Sequence, residues 1–261
     1  MLEAVIHAVK RVAQHEIVPR YLRVAHEHKV DGSLCTIADT AAQAALMESL
    51  RAIAPCPVLG EEMGAEEQQK LWQAGGEGLW VIDPIDGTSN FINGLPYFAV
   101  SVAFWRGERP HLGVVYAPEL DEMFWAVEGQ GAFLNGERLP IKERPPRSLR
   151  AALAGVDLKR LDRRLAEELA ARPPYSSQRN FGSSALDWCF VAAGRFDVYL
   201  HGGQKLWDFA AGALILEEAG GRLATLEVDD FWSASPWNRS VIAAWHPPLF
   251  EAWRDWLRAR R

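Results

Sequence analysis

Six acidic side chains in this chain accompany a Gly-Thr turn, and together they suit chemistry on a phosphate with a divalent cation. Carboxylate oxygens are the hard ligands that Mg²⁺ prefers in proteins. Gly87 and Thr88 follow one of these acids, and free backbone N–H groups at the start of a helical turn can bind an anion. Metal ligands beside amides for a phosphate form the two halves of a phosphoryl-transfer site. The six acids are Asp39, Glu61, Glu62, Asp83, Asp86 and Asp208.

The central segment reads Asp83-Pro84-Ile85-Asp86-Gly87-Thr88 and follows an apolar strand. Pro84 fixes φ and lacks an N–H, so the chain leaves the strand at a set angle. Two acids three positions apart across this turn can converge on cations, and the turn can aim the Ile85 carbonyl at the same place. Gly87 lets the backbone approach a ligand closely. The alternative is a surface turn with solvated acids, because Asp-Pro and Asp-Gly are common turn dipeptides.

The other acids also have plain structural interpretations. Glu61 and Glu62 follow Gly60 in a loop, where neighbouring glutamates usually face solvent. Asp208 precedes an Ala-rich helix and Asp39 lies at the start of another, so both are typical of helix-capping acids. Capping and metal binding do not exclude each other, because a carboxylate has two oxygens and each can take one role.

Size and composition limit the fold and the compartment. The chain has 261 residues, 49% of them apolar, which suits one large domain or two tightly packed lobes. A formal net charge of −6 disfavours nucleic acid as a partner. Cys35, Cys56 and Cys189 are far apart and typical of reduced thiols, and no apolar run approaches the ~18 residues of a membrane span. Charged Glu3 and Lys10 disfavour a signal peptide, so we expect a cytoplasmic protein without a membrane partner.

Periodicity predicts helices packed on a mostly antiparallel sheet in the first half. Apolar residues at helical spacing predict a helix over residues 2–27, which Pro19 ends or kinks, and a second helix from about Asp39 to Ala52. Strands separated by turn residues are then expected at 57–59, 79–82, 98–105, 112–117, 123–127 and 132–134.

Strands and helices alternate in the second half, which favours a mixed sheet. A Pro- and charge-rich passage at 142–147 predicts a boundary between two lobes, about 1–141 and about 142–261, within one catalytic unit spanning 1–261. The predicted strands are 151–156, 196–200, 222–226 and 240–245, and the predicted helices are 158–171, 184–193, 209–219 and 249–260.

Four blocks of the chain together resemble the inositol monophosphatase family of Mg²⁺-dependent, lithium-sensitive phosphatases. Their order and spacing match over essentially the whole chain. The resemblance implies an α+β / α/β fold, a layered αβαβα sandwich of the sugar-phosphatase type with the site between two lobes, and a homodimer. The blocks are Gly60-Glu61-Glu62, the segment from Asp83 to Phe91, Gly182–Ala185 followed by Ala193–Asp197, and Trp207-Asp208 with its helix and Glu218-Ala219-Gly220-Gly221.

The resemblance implies two to three Mg²⁺ ions in one site. Glu61, Asp83 and the carbonyl of Ile85 would hold the first ion. Asp83, Asp86 and Asp208 would hold the second, and a looser third ion would lie near Glu61. Glu62 would be a neighbour of the site and not a principal ligand.

The resemblance also implies catalytic and substrate contacts. Asp39 and Thr88 would orient and deprotonate the attacking water, with Glu61 as the third catalytic residue. The substrate itself, a small phosphate ester, would contact Asp86, Gly87, Thr88, Ser184 and His201.

One stretch departs from the family pattern and leaves the substrate open. Inositol phosphatases carry an acid several residues before the Trp-Asp pair, whereas here residues 200–206 contain none and His201 stands near that position. Lys205 and Arg179 are cations that either face solvent or accept a second phosphate. We expect a phosphomonoesterase for a small polyol or sugar phosphate, with inositol 1-phosphate as the first compound to test. The alternatives are a phosphatase for fructose 1,6-bisphosphate or 3′-phosphoadenosine 5′-phosphate, or a partner-binding regulatory protein with a secondary phosphatase site.

Overall fold

A computed structural model describes residues 1–23, 26–28, 34–140, 145 and 147–260. The predicted lobe boundary at 142–147 lies mostly outside the described residues, so the division into two lobes stays a prediction. Among the described residues, no helix combines the length and apolar character that crossing a membrane requires.

The N-terminal layer consists of two helices, α1 (Leu2–Val12) and α2 (Ile37–Ile53). The chain continues from α1 through a π-helical turn (Ala13–Ile17) and a 3₁₀ turn (Val18–Arg20). Of the two outcomes predicted for the helix over 2–27, the structure shows the one in which it ends near Pro19, and it does not continue through the described residues 21–23 and 26–28. Pro19 lies in the 3₁₀ turn, and Pro cannot supply the backbone N–H that a continuing helix needs. Strands β1 (His26–His28) and β2 (Leu34–Thr36) then pair as a small antiparallel ribbon.

A seven-stranded sheet forms the second layer. Its strands lie in the order β3 to β9, with β3 parallel to β4 and every other pair antiparallel. This confirms the predicted mostly antiparallel sheet. The strands are β3 (Val58–Gly60), β4 (Leu79–Asp86), β5 (Ala99–Arg106), β6 (Arg109–Ala117), β7 (Glu122–Val127), β8 (Gly131–Leu134) and β9 (Glu137–Arg138).

Both faces of the seven-stranded sheet are covered, which explains why β4 is buried along its whole length. Side chains of a strand alternate between faces. Trp80 and Ile82 therefore lie in the apolar core that contains α1 and α2. Leu79 and Val81 face the opposite core, which contains helices α6 (Ser184–Ala192) and α7 (Leu206–Glu218).

A mixed five-stranded sheet forms the fourth layer, on the other side of α6 and α7. Its order is β11-β10-β12-β14-β13, with β10 parallel to β11 and β12. The strands are β10 (Leu153–Asp157), β11 (Ser177–Arg179), β12 (Val198–Gln204), β13 (Arg222–Ala224) and β14 (Arg239–Ala244). Helices α5 (Arg163–Ala171) and α8 (Pro247–Arg258) cover its outer face. The predicted αβαβα order of layers is confirmed.

Sequence periodicity missed helix α3 (Ala65–Ala74). This helix is mostly polar, and only Gln68 among its residues is buried, so it has no apolar stripe to detect. Helix α4 (Thr88–Asn93), six residues long, is the short helical turn that the sequence predicts after Gly87. Helix α5 begins at Arg163 and not at Leu158, because Asp162 caps it by accepting a hydrogen bond from the Leu165 N–H.

Candidate metal and phosphate site

A cavity of about 350 Å³ lies where strand ends from both sheets meet the first turns of α4, α6 and α7. Strands β4, β10 and β12 all contribute residues to it. Among the predicted site residues, nine line this cavity, and the tenth, Asp39, contacts one of them, Thr88. The nine are Glu61, Asp83, Ile85, Asp86, Gly87, Thr88, Ser184, His201 and Asp208.

A β-bulge brings Asp83 and Asp86 to the same face of β4. Residues three apart in a regular strand point to opposite faces. In the pairing of β4 with β5, Asp83 lies opposite Ser101 and Asp86 opposite Ala99, so β4 has one extra residue in this interval. The bulge restores a common orientation. The Ile85 N–H donates to Asp83 Oδ1 at 3.0 Å, which holds the first carboxylate within the turn.

Three carboxylates converge in the cavity, each offering a ligand atom within 4.8 Å of the others: Asp83, Asp86 and Asp208. Burial raises the pKa of Asp83 well above its ordinary value, and the negative charges of Glu61, Asp86 and Asp208 raise it further. Burial also raises the pKa of Asp208 to about 8. Acids packed this closely repel one another, and a divalent cation between them removes that repulsion. The donor set therefore fits a metal ion.

Helix α6 orients Asp86. Its Oδ2 accepts hydrogen bonds from the Ser183 hydroxyl at 2.5 Å and from the Ala185 N–H at 2.7 Å. These bonds lower the pKa of Asp86, but burial outweighs them and raises it to about 6. Oδ2 of Asp86 is thus engaged at the start of the helix, and Oδ1 takes part in neither of these bonds.

Helix α7 orients Asp208 in the way expected of a capping acid. Asp208 lies in the first turn, because α7 begins at Leu206 and not at Phe209. Its Oδ2 accepts a hydrogen bond from the Lys205 N–H at 2.9 Å. Ser101 of β5 donates to the Trp207 carbonyl at 3.3 Å, which ties the start of α7 to the seven-stranded sheet. Capping and membership of the acidic cluster therefore coexist at one residue.

Asp39 and Thr88 form a pair at the edge of the cavity. Asp39 Oδ2 accepts hydrogen bonds from the N–H and the hydroxyl of Thr36, at 2.7 and 2.6 Å, and so completes a capping box for α2. Thr88 Oγ1 lies 3.3 Å from Asp39 Oδ1 and 3.1 Å from the Ile85 carbonyl oxygen. Burial raises the pKa of Asp39 to about 6, so this carboxylate can act as a base near neutral pH.

Gly87 occupies a position that no other residue suits. Its φ is +94°, and a Cβ there would lie 3.1 Å from the Tyr97 carbonyl oxygen and 3.3 Å from that of Gly182. Only glycine adopts this conformation without strain. Gly87 therefore lets the backbone reach the cavity at the start of α4.

A model of the inositol monophosphatase family matches residues 1–254. The chain belongs to the inositol monophosphatase family. This confirms the predicted resemblance, and membership supports a phosphoric monoester hydrolase.

Relatives of this family member carry more than one name. Fructose-1,6-bisphosphatase/inositol-1-monophosphatase of Aquifex aeolicus is 41% identical over 167 residues, which are 63% of this chain and 61% of that protein. Nus factor SuhB of Haemophilus influenzae is 35% identical over 255 residues, 94% of this chain and 91% of that protein. The solved structure of the Thermotoga maritima IMPase has a TM-score of 0.84 and 30% identity, covering 99% of this chain and 96% of that one.

The substrate side of the cavity in this family member differs from the sequence prediction. Lys205 and Arg179 are exposed and neither lines the cavity, so of the two alternatives left open by the sequence the structure favours the solvent-facing one. The cations that do line it are Lys159 and Arg160, in the loop after β10. Sequence reasoning missed them because they were placed within a predicted helix over 158–171.

His201 faces Asp157 across two neighbouring parallel strands. His201 Nδ1 accepts the Gly203 N–H at 3.1 Å, so a neutral ring carries its proton on Nε2, which lies 3.5 Å from Asp157 Oδ2. Burial alone would raise the pKa of Asp157, but His201 and the Lys159 N–H hold it below its ordinary value. Residues 200–206 of β12 and its C-terminal end lack the acid that inositol phosphatases carry there, but Asp157 at the end of β10 lines the cavity beside His201.

Proposed function

We propose that this chain is a Mg²⁺-dependent phosphomonoesterase for a phosphate ester of a small polyol or sugar. The observation that carries the proposal is the buried cluster of Asp83, Asp86 and Asp208 beside the turn that contains Gly87 and Thr88. This geometry combines ligands for a divalent cation with a glycine turn open to a phosphate.

Two to three Mg²⁺ ions are proposed for the site. Glu61, Asp83 and the Ile85 carbonyl would hold one ion, and Asp83, Asp86 and Asp208 the other, with a looser third near Glu61. When bound, the ions neutralise the charge of the phosphate and polarise the attacking water. Glu62 does not line the cavity, and its N–H donates to Gln43 Oε1 at 2.9 Å, which supports its role as a neighbour.

Asp39 and Thr88 are proposed to activate the water. Thr88 Oγ1 can donate its proton to Asp39 Oδ1, which leaves an oxygen lone pair to accept a proton from water in the cavity. Asp39 would take the charge that develops as that proton moves. Glu61, which directly follows β3 and lines the same cavity, is proposed as the third catalytic residue.

Two sets of substrate contacts are proposed, one for the phosphate and one for the alcohol part. Gly87 and Thr88 would contact the phosphate, while Asp86, Ser184 and His201 would contact hydroxyl groups of the alcohol part. The homodimer and the cytoplasmic location expected from the sequence stay predictions.

Phosphate release from inositol 1-phosphate tests the proposal. We expect release that depends on added Mg²⁺, stops when the metal is chelated, and is inhibited by Li⁺. A panel that adds fructose 1,6-bisphosphate and 3′-phosphoadenosine 5′-phosphate covers the alternative substrates. Absence of Mg²⁺-dependent release from every ester in the panel would contradict the proposed function.

Stability of the metal-free protein should fall as pH rises. Asp39, Asp86 and Asp208 have raised pKa values, so the folded state binds protons more tightly than the unfolded state. Their stabilising contribution is complete below the ordinary carboxyl pKa, near 4, and is lost by about pH 8. We expect the metal-free Tm to be lower at about pH 8 than at about pH 5 by at least ~5 °C.

Added Mg²⁺ should reverse this trend, because it binds the charged carboxylates of the folded state. Thermal unfolding at both pH values, with and without Mg²⁺, measures the effect. A Mg²⁺-induced rise in Tm that is no larger at the higher pH would contradict the assignment of these acids as ligands.

A partner-binding role is the second candidate, and the similarity to a Nus factor SuhB over 94% of the chain favours it. In that case partner binding would survive loss of the acidic cluster. The two functions are separated by measuring phosphate release first, since a protein that acts only by binding releases none.

A further inference from the structure

We infer that Lys159 and Arg160 form a subsite for a second, non-reacting anionic group of the substrate. The inference rests on the proposed function and narrows its substrate class to phosphate esters whose sugar or polyol part carries another anionic group. A second phosphate is the group that two adjacent cations suit best, because each can pair with a different phosphate oxygen.

The loop after β10 presents these two cations between two half-buried leucines. Leu158 and Leu161 pack against the core of the five-stranded sheet, whereas Lys159 and Arg160 are exposed and line the cavity. The order Leu-Lys-Arg-Leu thus anchors the loop at both ends and directs its middle outward. Such a division of apolar and charged side chains points the charges at the cavity without cost to the core.

Two contacts fix the backbone of this loop. Asp157 Oδ1 accepts the Lys159 N–H at 2.8 Å. Gly202 of β12 packs against the loop backbone at Arg160, so closely that a Cβ on residue 202 would overlap the Arg160 carbonyl. Only a residue without a side chain permits this approach. The cations therefore stand on a supported turn at the carboxyl ends of two paired strands.

The acidic cluster and the two cations line the same cavity. Asp157 also lines it and stands beside the cations, where it accepts the Lys159 N–H, so the subsite has two positive charges and one neighbouring acid. Arg160 acts on the acids through space: burial raises the pKa of Asp208, and the charge of Arg160 works against that rise. Neither Lys159 nor Arg160 forms an ion pair with a described residue, so both are available to an anion.

An ester with one phosphate and a neutral alcohol part cannot contact the acidic cluster and the two cations at once. Its single phosphate belongs beside the metal ligands, and its neutral alcohol part leaves the cations solvated. A bisphosphate of a small sugar places its reacting phosphate at the acidic cluster and its second phosphate at Lys159 and Arg160. Bonds between charged partners are stronger than neutral ones, so this second contact should decide between the two classes.

The test compares three esters on the wild-type protein and on the Lys159→Gln/Arg160→Gln variant. Fructose 1,6-bisphosphate carries a second phosphate, 3-phosphoglycerate carries a carboxylate, and inositol 1-phosphate carries neither. We expect the ratio of kcat/KM for the bisphosphate to that for inositol 1-phosphate to fall at least about tenfold in the variant, mostly through KM.

Arg163→Gln/Arg164→Gln is the matched control. It removes the same charge three or four residues away, from exposed positions that do not line the cavity. All four side chains are exposed, so neither variant should affect folding. The control should leave the ratio unchanged. The wild-type KM for the bisphosphate should also rise more steeply with salt than that for inositol 1-phosphate.

Three results would decide against the subsite or refine it. An equal loss for all three esters, or no loss for any, would overturn it. A loss confined to 3-phosphoglycerate would keep an anion subsite but assign it to a carboxylate. If the wild-type protein hydrolyses none of the esters with Mg²⁺, the proposed function fails first, and the two failures are thereby distinguished.

Discussion

Asp83→Asn will lower kcat at least about a hundredfold, because it removes a proposed ligand shared by both ions. Asp83 is buried, and its charge lies among those of Glu61, Asp86 and Asp208. Asparagine has the same shape and can still accept the Ile85 N–H through Oδ1. The loss should therefore come from the metal site and not from the fold.

Thermal unfolding distinguishes these two causes. Without metal, Asp83→Asn should be at least as stable as the wild-type protein, because one of several repelling charges has been removed. With Mg²⁺, the variant should gain little stability, whereas the wild type should gain more. A purely structural residue would show the opposite order in the metal-free state.

Glu62→Gln is the matched control for this experiment. It neutralises an acid close to the site that does not line the cavity. We expect it to retain most of the wild-type kcat and the full Mg²⁺-induced rise in Tm. If Asp83→Asn keeps more than about a tenth of the wild-type activity, the shared-ligand role is wrong, since losing such a contact commonly costs at least a hundredfold.

Asp39→Asn will lower kcat by about 10²- to 10⁴-fold, the usual contribution of a positioned general base. The Asn side chain can still accept a hydrogen bond from Thr36 through its oxygen, so the cap of α2 is largely kept. It cannot take up the proton that Thr88 Oγ1 passes on. Unlike Asp83→Asn, this variant should keep the Mg²⁺-induced rise in Tm.

The pH profile gives a second readout of the same role. Burial raises the pKa of Asp39 to about 6, and below that value the carboxyl is protonated and cannot accept a proton. The wild-type kcat should therefore fall as the pH drops through the pKa that Asp39 has in the Mg²⁺-loaded protein, and Asp39→Asn should lose that part of the acid limb. An unchanged acid limb in the variant would contradict the assignment of Asp39 as the base.

Thr88→Ala should resemble Asp39→Asn, because the two side chains are proposed to act as one unit. The double variant should then be no slower than the slower single variant by more than about threefold. Fully additive losses would mean that Asp39 and Thr88 act on different steps.

Local sequence was sufficient to select the residues that meet in one cavity. The string from Asp83 to Thr88 and the distant Trp207-Asp208 pair predicted a metal and phosphate site, and residues of both segments line the cavity. The alternation of strand and helix in the second half predicted the mixed sheet, which the structure confirms. Ligand type, turn chemistry and periodicity are properties of short segments, so these predictions needed no tertiary structure.

The structure changed the interpretation of residues whose role depends on partners far along the chain. The bulge that aligns Asp83 with Asp86 is visible only in the pairing of β4 with β5. The first turn of α7 could not be placed from its sequence, although Asp208 within it was identified. The sequence marked Asp39 as a capping acid or a site residue, and the structure shows a cap of α2 that also lies within hydrogen-bond distance of Thr88.

The sequence by itself determined which family this protein belongs to, which acids suit a metal, and how its layers are ordered. Tertiary structure alone decided which cations face those acids. Lys159 and Arg160 reach the cavity because the half-buried Leu158 and Leu161 pack against the core of the five-stranded sheet and Gly202 admits the loop, whereas Lys205 remains in solvent. Local periodicity assigns a side chain to one face of an element, but packing between elements determines what that face meets.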